Sequence, residues 1–326
     1  MKYIVGVDIG ATNLRVALAD SSGNIIVKVT DRTVKKGKGI DLTNQVIRLI
    51  KTVLNRASVN VGDVKGIGIG TIGPLDLKKG VITKPANLQL GEVPLREPLE
   101  DKFKVPVYIL NDCVAAVVGE KVFGAGKHLE NLVYITISTG IGSGVFVNGT
   151  LLLGKDGNAH EVGHMVVDIE GKIVCGCGKR GHWEAYASGT GIPKYAKYLL
   201  ETKFGKEAEK SSIYAKAMAG ILTAKDVYDA AKQGDEIALK IVEEVGRINA
   251  IGIANVINIY DPSLITLGGS VVLKNVNLVL DPILRNVSKY TINRIPEIMI
   301  TPLGEDIVLL GAIGSVIIDV NTIPKD

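Results

Sequence analysis

Three of the chain's four histidines and two of its three cysteines fall between residues 160 and 184. They are His160, His164, Cys175, Cys177 and His182. The stretch Cys175-Gly176-Cys177-Gly178-Lys179-Arg180-Gly181-His182 packs three soft or borderline donors onto a glycine-hinged loop, and His164 supplies a fourth. Four nitrogen and sulfur donors with no open position are the make-up of a structural Zn²⁺ site. A disulfide between Cys175 and Cys177 would be strained, and out of place in a reducing cell. Glu161 and Glu184 flank the cluster. Such carboxylates either accept hydrogen bonds from substrate hydroxyls or sit on the surface. Elsewhere, Asn111-Asp112 stands between a strand-like run and a helix-like run. A carboxylate at a strand's C-terminal end can point into a cleft, orient a hydroxyl and accept its proton in phosphoryl transfer. The same dipeptide also reads as a helix N-cap.

Glycine-rich turns follow three strand-like runs, at residues 8–13, 138–144 and 267–270. Glycine lets backbone N–H groups approach phosphate oxygens. A turn of this composition can also be nothing more than a turn. The chain has no Gly-Lys-Ser/Thr phosphate loop and no dinucleotide fingerprint opening a helix. Asp8, at the end of the first run, could hold Mg²⁺ directly or through water.

The elements that must position these residues follow from period and turn chemistry. Runs at 3–7, 14–19 and 25–30 read as strands, with a hairpin turn at Ser21-Ser22-Gly23-Asn24. Leu42, Val46, Leu49, Ile50, Val53 and Leu54 recur on one face of a helix, with Asp41 placed as its N-cap. Strands are expected at 64–69 and 107–110, and a helix at 114–123. The opening pattern then returns. Residues 132–137 and 145–147 read as strands around the glycine-rich turn, and Asn148-Gly149 is a type I′ signal. That is either an internal duplication at an offset of about 130 residues or two unrelated hairpins. A long helix follows Asp235, strands fall at 264–267 and 298–301, and a small-residue apolar segment at 307–320 reads as a closely packed helix.

The chain has 326 residues, 46% hydrophobic and 22% charged, so it is not disordered. That length suggests about two domains. The net charge of +4 is too small and too spread to imply nucleic acid as a partner. Three cysteines rule out a disulfide framework and point to a reducing, cytoplasmic setting. No run approaches the roughly 18 apolar residues of a membrane span, and the N-terminal apolar run is too short for a signal peptide.

Taken together, the motifs resemble the ROK family (repressors, open reading frames and sugar kinases) from end to end. Asp8-Ile9-Gly10-Ala11-Thr12-Asn13 is similar to its first phosphate motif, D-x-G-G-T, with Ala11 for the second Gly. Gly73-Pro74 and Pro85-Ala86-Asn87 resemble its sugar-side loops, and Asn111-Asp112 its catalytic pair. Thr139-Gly140-Ile141-Gly142-Ser143-Gly144 resembles its second phosphate motif. Glu161-Val162-Gly163-His164 matches E-x-G-H. The segment from Cys175 to Glu184 resembles C-x-C-G-x-x-G-C-x-E, with His182 in place of the third Cys. Gly268-Gly269 resembles the adenosine-side motif, and Gly304-Glu305-Asp306 with Gly311-Ala312 the C-terminal segment.

The resemblance implies an α/β protein of the actin-like ATPase (sugar kinase) fold, two lobes with a cleft between them and a zinc-binding loop. The expected small lobe is residues 1–111, with a C-terminal helix at about 311–326 packing back on it. The large lobe is 112–310, with the zinc loop at 160–184. The resemblance further implies ATP-dependent phosphorylation of a hexose 6-hydroxyl, glucose first, with N-acetylmannosamine, N-acetylglucosamine or fructose as alternatives. Asp112 would be the general base. Gly73, Asn87, Asn111, Asp112, Glu161, His164 and Glu184 would bind the sugar. Asp8, Gly10, Thr12, Asn13, Thr139, Gly140, Gly142, Gly268 and Gly269 would bind ATP, with Mg²⁺ near Asp8. His164, Cys175, Cys177 and His182 would hold a structural Zn²⁺, His164 presenting its other ring nitrogen to the sugar. A homodimer is expected. A sugar-sensing repressor of the same family is the alternative of another class. With the first strand at Tyr3 there is no room for a DNA-binding helix-turn-helix ahead of it.

Overall fold

The computed structural model describes residues 2–85 and 88–320. The chain opens with an antiparallel meander, β1 (Tyr3–Ile9), β2 (Asn13–Ala19) and β3 (Ile25–Arg32). Helix α1 (Gly39–Arg56) buries the expected apolar face, including Leu42, Val46, Leu49, Ile50, Val53 and Leu54. It starts two residues before Asp41, which is therefore not the N-cap. Instead Asp41 sits within the first turn and accepts the Lys38 N–H at 2.8 Å. Strand β4 (Val64–Thr71) then pairs parallel to β1. Three two-residue strands, β5 (Leu75–Asp76), β6 (Val81–Ile82) and β7 (Val93–Pro94), make a small sheet of their own. Helix α2 (Arg96–Phe103) leads to β8 (Val107–Asn111), parallel to β4, and α3 (Asp112–Val122) follows without a break.

A second meander comes next, β9 (Leu132–Ile137), β10 (Ile141–Val147) and β11 (Thr150–Leu151). Asn148 and Gly149 both take positive φ, 49° and 72°, as a type I′ turn requires. Five helices form most of the next segment: α4 (Trp183–Ala187), α5 (Ile192–Thr202), α6 (Tyr214–Met218), α7 (Ala224–Lys232) and α8 (Glu236–Tyr260). Asp235 caps α8 by accepting the N–H groups of Ile237 and Ala238. Strand β12 (Leu264–Gly268) pairs parallel to β9. Helices α9 (Ser270–Lys274) and α10 (Val276–Asn286), then β13 (Glu297–Ile300) parallel to β12, and finally α11 (Ile307–Ile317) complete the described chain.

The two large sheets have the same order and the same strand senses, β3-β2-β1-β4-β8 and β11-β10-β9-β12-β13. Two unrelated hairpins would share only the meander. Here the crossover strands repeat as well, so the internal duplication is real at the level of topology. The repeat extends to the helices after the last strands, α3 after β8 and α11 after β13.

Each sheet has its own core. Val5, Val7 and Ile9 pack with α1 in the first, and the wholly buried Trp183 centres the second. Between them, α3 and α11 pack together, and α11 also lies on β1 and β4 of the first sheet. The fit is made by glycine. A Cβ on Gly311 would overlap the carbonyl oxygen of Ala115, and one on Gly119 would sit 2.8 Å from the carbonyl oxygen of Ile307. A Cβ on Gly68 would overlap the carbonyl oxygen of Ala312. Among the described residues, no helix is long and apolar enough to cross a membrane.

This crossing predicts a specific instability. Gly311→Ala should lower stability by about 1–3 kcal/mol, since the neighbour that must move is backbone. Gly62→Ala, where a Cβ meets nothing within 4 Å, should change it by less than about 0.5 kcal/mol. Urea unfolding midpoints of the two variants check both.

Candidate active site

The N-terminus of α3 sits where two cavities meet. The larger, about 500 Å³, is lined by Asp8, residues 10–13 and 138–142, and Asp112. The smaller, about 230 Å³, is lined by Gly73, Asn111, Asn158 and Glu161 with apolar neighbours Leu110 and Val114. Asn111 and Glu161 line both. A third cavity of about 410 Å³ adjoins the 138–139 turn and includes Thr190, Lys225, Ser270 and Lys274. Gly268 and Gly269 end β12 just ahead of Ser270, with Gly269 at φ +88°.

Asn111 is the N-cap of α3. Its Oδ1 accepts the Cys113 N–H at 2.9 Å, and Asp112 Oδ1 accepts the same N–H at 2.8 Å. The cap reading of this dipeptide therefore belongs to Asn111, and Asp112 lines the cavity. Burial raises the Asp112 carboxyl above its ordinary value. The hydrogen bond from Cys113 and the neighbouring His160 oppose that, and Glu161 adds to it. Asp112 has no ion-pair partner among the described residues.

Asp8 is different. It faces Arg15 across the β1–β2 pairing, and the guanidinium holds its Oδ2 at 2.8 Å from Nε and 2.6 Å from Nη2. Arg15 also donates to the Glu305 carbonyl at 2.8 Å and reaches Asp306 at 3.5 Å. Burial pushes Asp8 up to about 6 against the pull of Arg15, with Asp112 and Asp306 adding to the rise. The first turn is closed by the Gly10 N–H donating to the Asn13 carbonyl at 3.0 Å. Thr33 ties it from outside, its hydroxyl donating to the Gly10 carbonyl at 2.7 Å. Ala11 has no left-handed φ, so the missing second glycine costs no strain.

In the second turn none of Gly140, Gly142 and Gly144 has a positive φ. Their glycine character serves close approach. A Cβ on Gly142 would sit 2.6 Å from the Cys113 sulfur, and one on Gly144 would overlap the Cys113 carbonyl oxygen. These two bring β10 onto the first turn of α3. Cys113 itself is buried, and burial pushes its thiol well up, so it is an inert filler.

His164, Cys175, Cys177 and His182 offer four donor atoms, all within 4.8 Å of one another. His164 Nδ1 lies 3.3 Å from His182 Nδ1 and 3.9 Å from Cys175 Sγ, and Cys177 Sγ lies 3.3 Å from His182 Nδ1. Zinc bond lengths of about 2.0–2.3 Å in a tetrahedron put donors roughly 3.3–3.8 Å apart, so the set fits the metal. Burial and His164 hold the His182 imidazole below its ordinary value, which favours the neutral form a metal needs. Gly178 and Gly181, at φ +86° and +76°, turn the loop. The other ring nitrogen of His164, Nε2, lies 3.7 Å from Glu161 Oε2. Glu184 lines the larger cavity together with Glu161. Its Oε2 accepts the Ile141 N–H at 2.9 Å, and its Oε1 lies 3.6 Å from Cys175 Sγ.

Comparison with known proteins fits this geometry. The ROK family profile matches residues 4–314. The chain belongs to the ROK family. A glucokinase of Pyrobaculum calidifontis is 37% identical over 312 residues, 95% of this chain and 93% of that one. The ROK hexokinase of Thermus thermophilus superposes with a TM-score of 0.80 at 28% identity, covering 98% of this chain and 99% of that chain. A ROK family glucokinase of Streptomyces griseus, solved with glucose and AMPPNP, gives 0.74 at 29% identity, over 95% and 98%. The fold is accordingly the actin-like ATPase fold, two α/β lobes around a cleft.

The structure thus brings Asp8, Gly10, Thr12, Asn13, Asn111, Asp112, Thr139, Gly140, Gly142, Glu161 and Glu184 to one cavity. Gly73 lines the smaller one, and Asn87 lies outside the described residues. The sequence reading missed Arg15 and Asn158, and it named His160 in the histidine–cysteine window without giving it a role. Arg15 had a signal: a cation between buried Leu14 and Val16, directly across a four-residue hairpin from Asp8. His160 is only 2% exposed and bonds the Gly157 carbonyl through Nε2 at 2.9 Å, a loop contact no local pattern announces.

The Arg15 pairing predicts a titration. Arg15→Ala removes the cation that lowers Asp8, so the Asp8 carboxyl should titrate above 6. A raised carboxyl favours the folded state below its ordinary value of 3.8 and loses that advantage as pH climbs through the folded pKa. The ¹³C carboxyl shift of Asp8 followed by NMR from pH 3 to 9 checks the direction.

Proposed function

We propose that this chain is an ATP-dependent hexose 6-kinase that works best on glucose. The observation that carries the reading is the meeting of the two cavities at the N-terminus of α3, with Asn111 and Glu161 lining both and Asp112 beside them. The glucokinase of Pyrobaculum calidifontis and the glucose complex of the Streptomyces griseus protein support glucose over the N-acetyl hexosamines and fructose.

The sugar occupies the smaller cavity, where Asn111 and Glu161 bind its hydroxyls and Gly73 lines the wall; His164 lines neither cavity and stands behind Glu161, its Nε2 3.7 Å from Oε2. ATP lies in the larger one, its phosphates between residues 10–13 and 139–144 and its adenosine beside Gly268 and Gly269. Asp8 would hold Mg²⁺, which would supply charge screening for the transferring phosphate. Asp112 orients the 6-hydroxyl and takes its proton. Phosphoryl transfer has a loose transition state, so positioning outweighs basicity. Closure of the lobes, divided near Asn111-Asp112, excludes water that would otherwise be the acceptor. His164, Cys175, Cys177 and His182 hold a structural Zn²⁺, which fixes the tautomer and direction of His164. His182 stands in for a third cysteine as a good zinc ligand. The family resemblance supports a homodimer, and an odd count of three cysteines suits a reducing cytoplasm.

The test is a coupled ADP-release assay over glucose, mannose, fructose, glucosamine, N-acetylglucosamine and N-acetylmannosamine. Glucose should give the highest kcat/KM. A folded protein that releases ADP with none of them overturns the reading. In the same assay Asp112→Asn should cut kcat at least about a hundredfold while glucose affinity stays within a few-fold. Wild-type kcat should fall on the acid side at a pH above the ordinary carboxylate range, because Asp112 must be ionised and its pKa is raised. Cys177→Ser should lose bound zinc, by elemental analysis, and melt at a lower temperature, since a structural metal contributes folding energy.

A further inference from the structure

We propose that Asn158 is a further sugar-binding and specificity-determining residue, donating from its amide to a ring hydroxyl other than the 6-hydroxyl. The proposal deepens the kinase reading and rests on it, since that reading puts the sugar in the smaller cavity. The 6-hydroxyl belongs with Asp112, which lines only the larger cavity, whereas Asn158 lines only the smaller. A hydroxyl both donates and accepts, so a bound sugar needs donors around it as well as acceptors. Asp156 and Glu161 bring carboxylates to the smaller cavity, and a carboxylate only accepts. Among the described residues that line it, only Asn111 and Asn158 carry a side-chain N–H. Asn111 already has its Oδ1 engaged by the Cys113 N–H, which leaves it the amide nitrogen. The Asn158 side chain makes no hydrogen bond among the described residues, so its whole amide is free for a ligand.

The backbone on either side of Asn158 is tied down. His160, only 2% exposed, bonds the Gly157 carbonyl through Nε2 at 2.9 Å. The Ala159 N–H donates to the Leu153 carbonyl at 2.9 Å, and the Tyr260 hydroxyl of α8 donates to the Ala159 carbonyl at 3.0 Å. The His160 carbonyl accepts the Ser143 hydroxyl of β10 at 2.7 Å. Gly157 takes φ +78°, and a Cβ there would sit 2.9 Å from Leu77 Cδ1, so the loop lies close against the turn between β5 and β6. Asn158 thus stands on an ordered stretch of chain with its own side chain unengaged. A ligand group held this way loses little freedom when the sugar arrives. Its apolar neighbours in the wall, Leu77 and Leu153, offer the amide no competing partner.

The experiment measures the Kd of glucose and of its 1-, 2-, 3- and 4-deoxy analogues by calorimetry, with kcat and KM from the coupled assay. Asn158→Ala should raise the glucose Kd and KM about five- to tenfold, the loss of one or two neutral hydrogen bonds, and leave kcat and the ADP Kd within about threefold. On at least one deoxy sugar the same substitution should have no further effect, because the hydroxyl that Asn158 holds is already missing. Asn158→Asp keeps the shape and removes the donors, so it should weaken glucose at least as much as Asn158→Ala. Asn158 is exposed, and the melting temperature of both variants should match wild type. The idea is overturned if Asn158→Ala leaves the glucose Kd within about twofold of wild type. It is equally overturned if that variant weakens glucose and all four deoxy sugars alike, or if Asn158→Asp binds glucose as wild type does. Wild-type protein that binds glucose yet releases no ADP would defeat the kinase reading alone, and the glucose Kd values would still decide the role of Asn158.

Discussion

The backbone contact between α3 and α11 sets everything else in this molecule. Two copies of one sheet topology must face each other across a cleft, and each sends the helix after its last strand back between them. Those helices meet backbone to backbone at Gly119 and Gly311, and Val118 and Val122 of α3 flank Gly314 one turn further on. Because α11 follows the second sheet but packs on β1 and β4 of the first, it ties the halves together. The crossing also fixes the height of α3, and with it Asn111, Asp112 and Cys113 at its start. Gly142 and Gly144 then draw β10 onto that first turn. Close packing of this kind is bistable and does not bend continuously, which suits a hinge.

The electrostatics follow from what the crossing brings together. Asp8, Asp112, Glu161 and Glu184 line one cavity, with Arg15 as the cation set against them. Arg15 is spent on Asp8. Asp112 is left with a hydrogen bond from a backbone N–H and no cation, so burial dominates its titration. Burial raises both carboxyls, Asp8 against the pull of a guanidinium and Asp112 with no cation paired to it. In a phosphoryl-transfer site the two have separate tasks, one beside a metal and one beside a hydroxyl.

Much of this was legible in the chain. Strand and helix order followed from hydrophobic period, and the four metal-type donors from their spacing alone. The duplication was half visible, because the meanders repeat in sequence while the crossover strands β4 and β12 share no pattern that marks them as equivalents. Contacts between distant segments were not legible. The reason Gly140, Gly142 and Gly144 are glycine lies in Glu184 and Cys113, dozens of residues away along the chain. The sequence offered phosphate approach as the explanation, and the packing adds a second cause that local pattern cannot carry. Asp41 was misplaced by three residues, since Lys38 is the N-cap, because a first-turn aspartate and an N-cap aspartate look alike until the backbone of Lys38 is seen to bond it. Glu184 sat in its motif, but a motif does not show that its carboxylate also accepts the Ile141 N–H.

The position of the cysteine–histidine loop gains a physical reason from that last point. Residues 160–182 hold little regular structure, only a three-residue 3₁₀ turn at Val162–His164 and isolated bridges. A segment so poor in backbone pairing has few means of fixing its own side chains. Yet it carries Glu161 and His164 on one side of the cluster and runs straight into Glu184 on the other. Glu161 and Glu184 both border the larger cavity. A cross-link among His164, Cys175, Cys177 and His182 would order both ends at once. It would do so through covalent-strength contacts where hydrogen bonds are few. That constrains the cavity more directly than added apolar core would, because it acts on the segment that carries Glu161 and leads into Glu184.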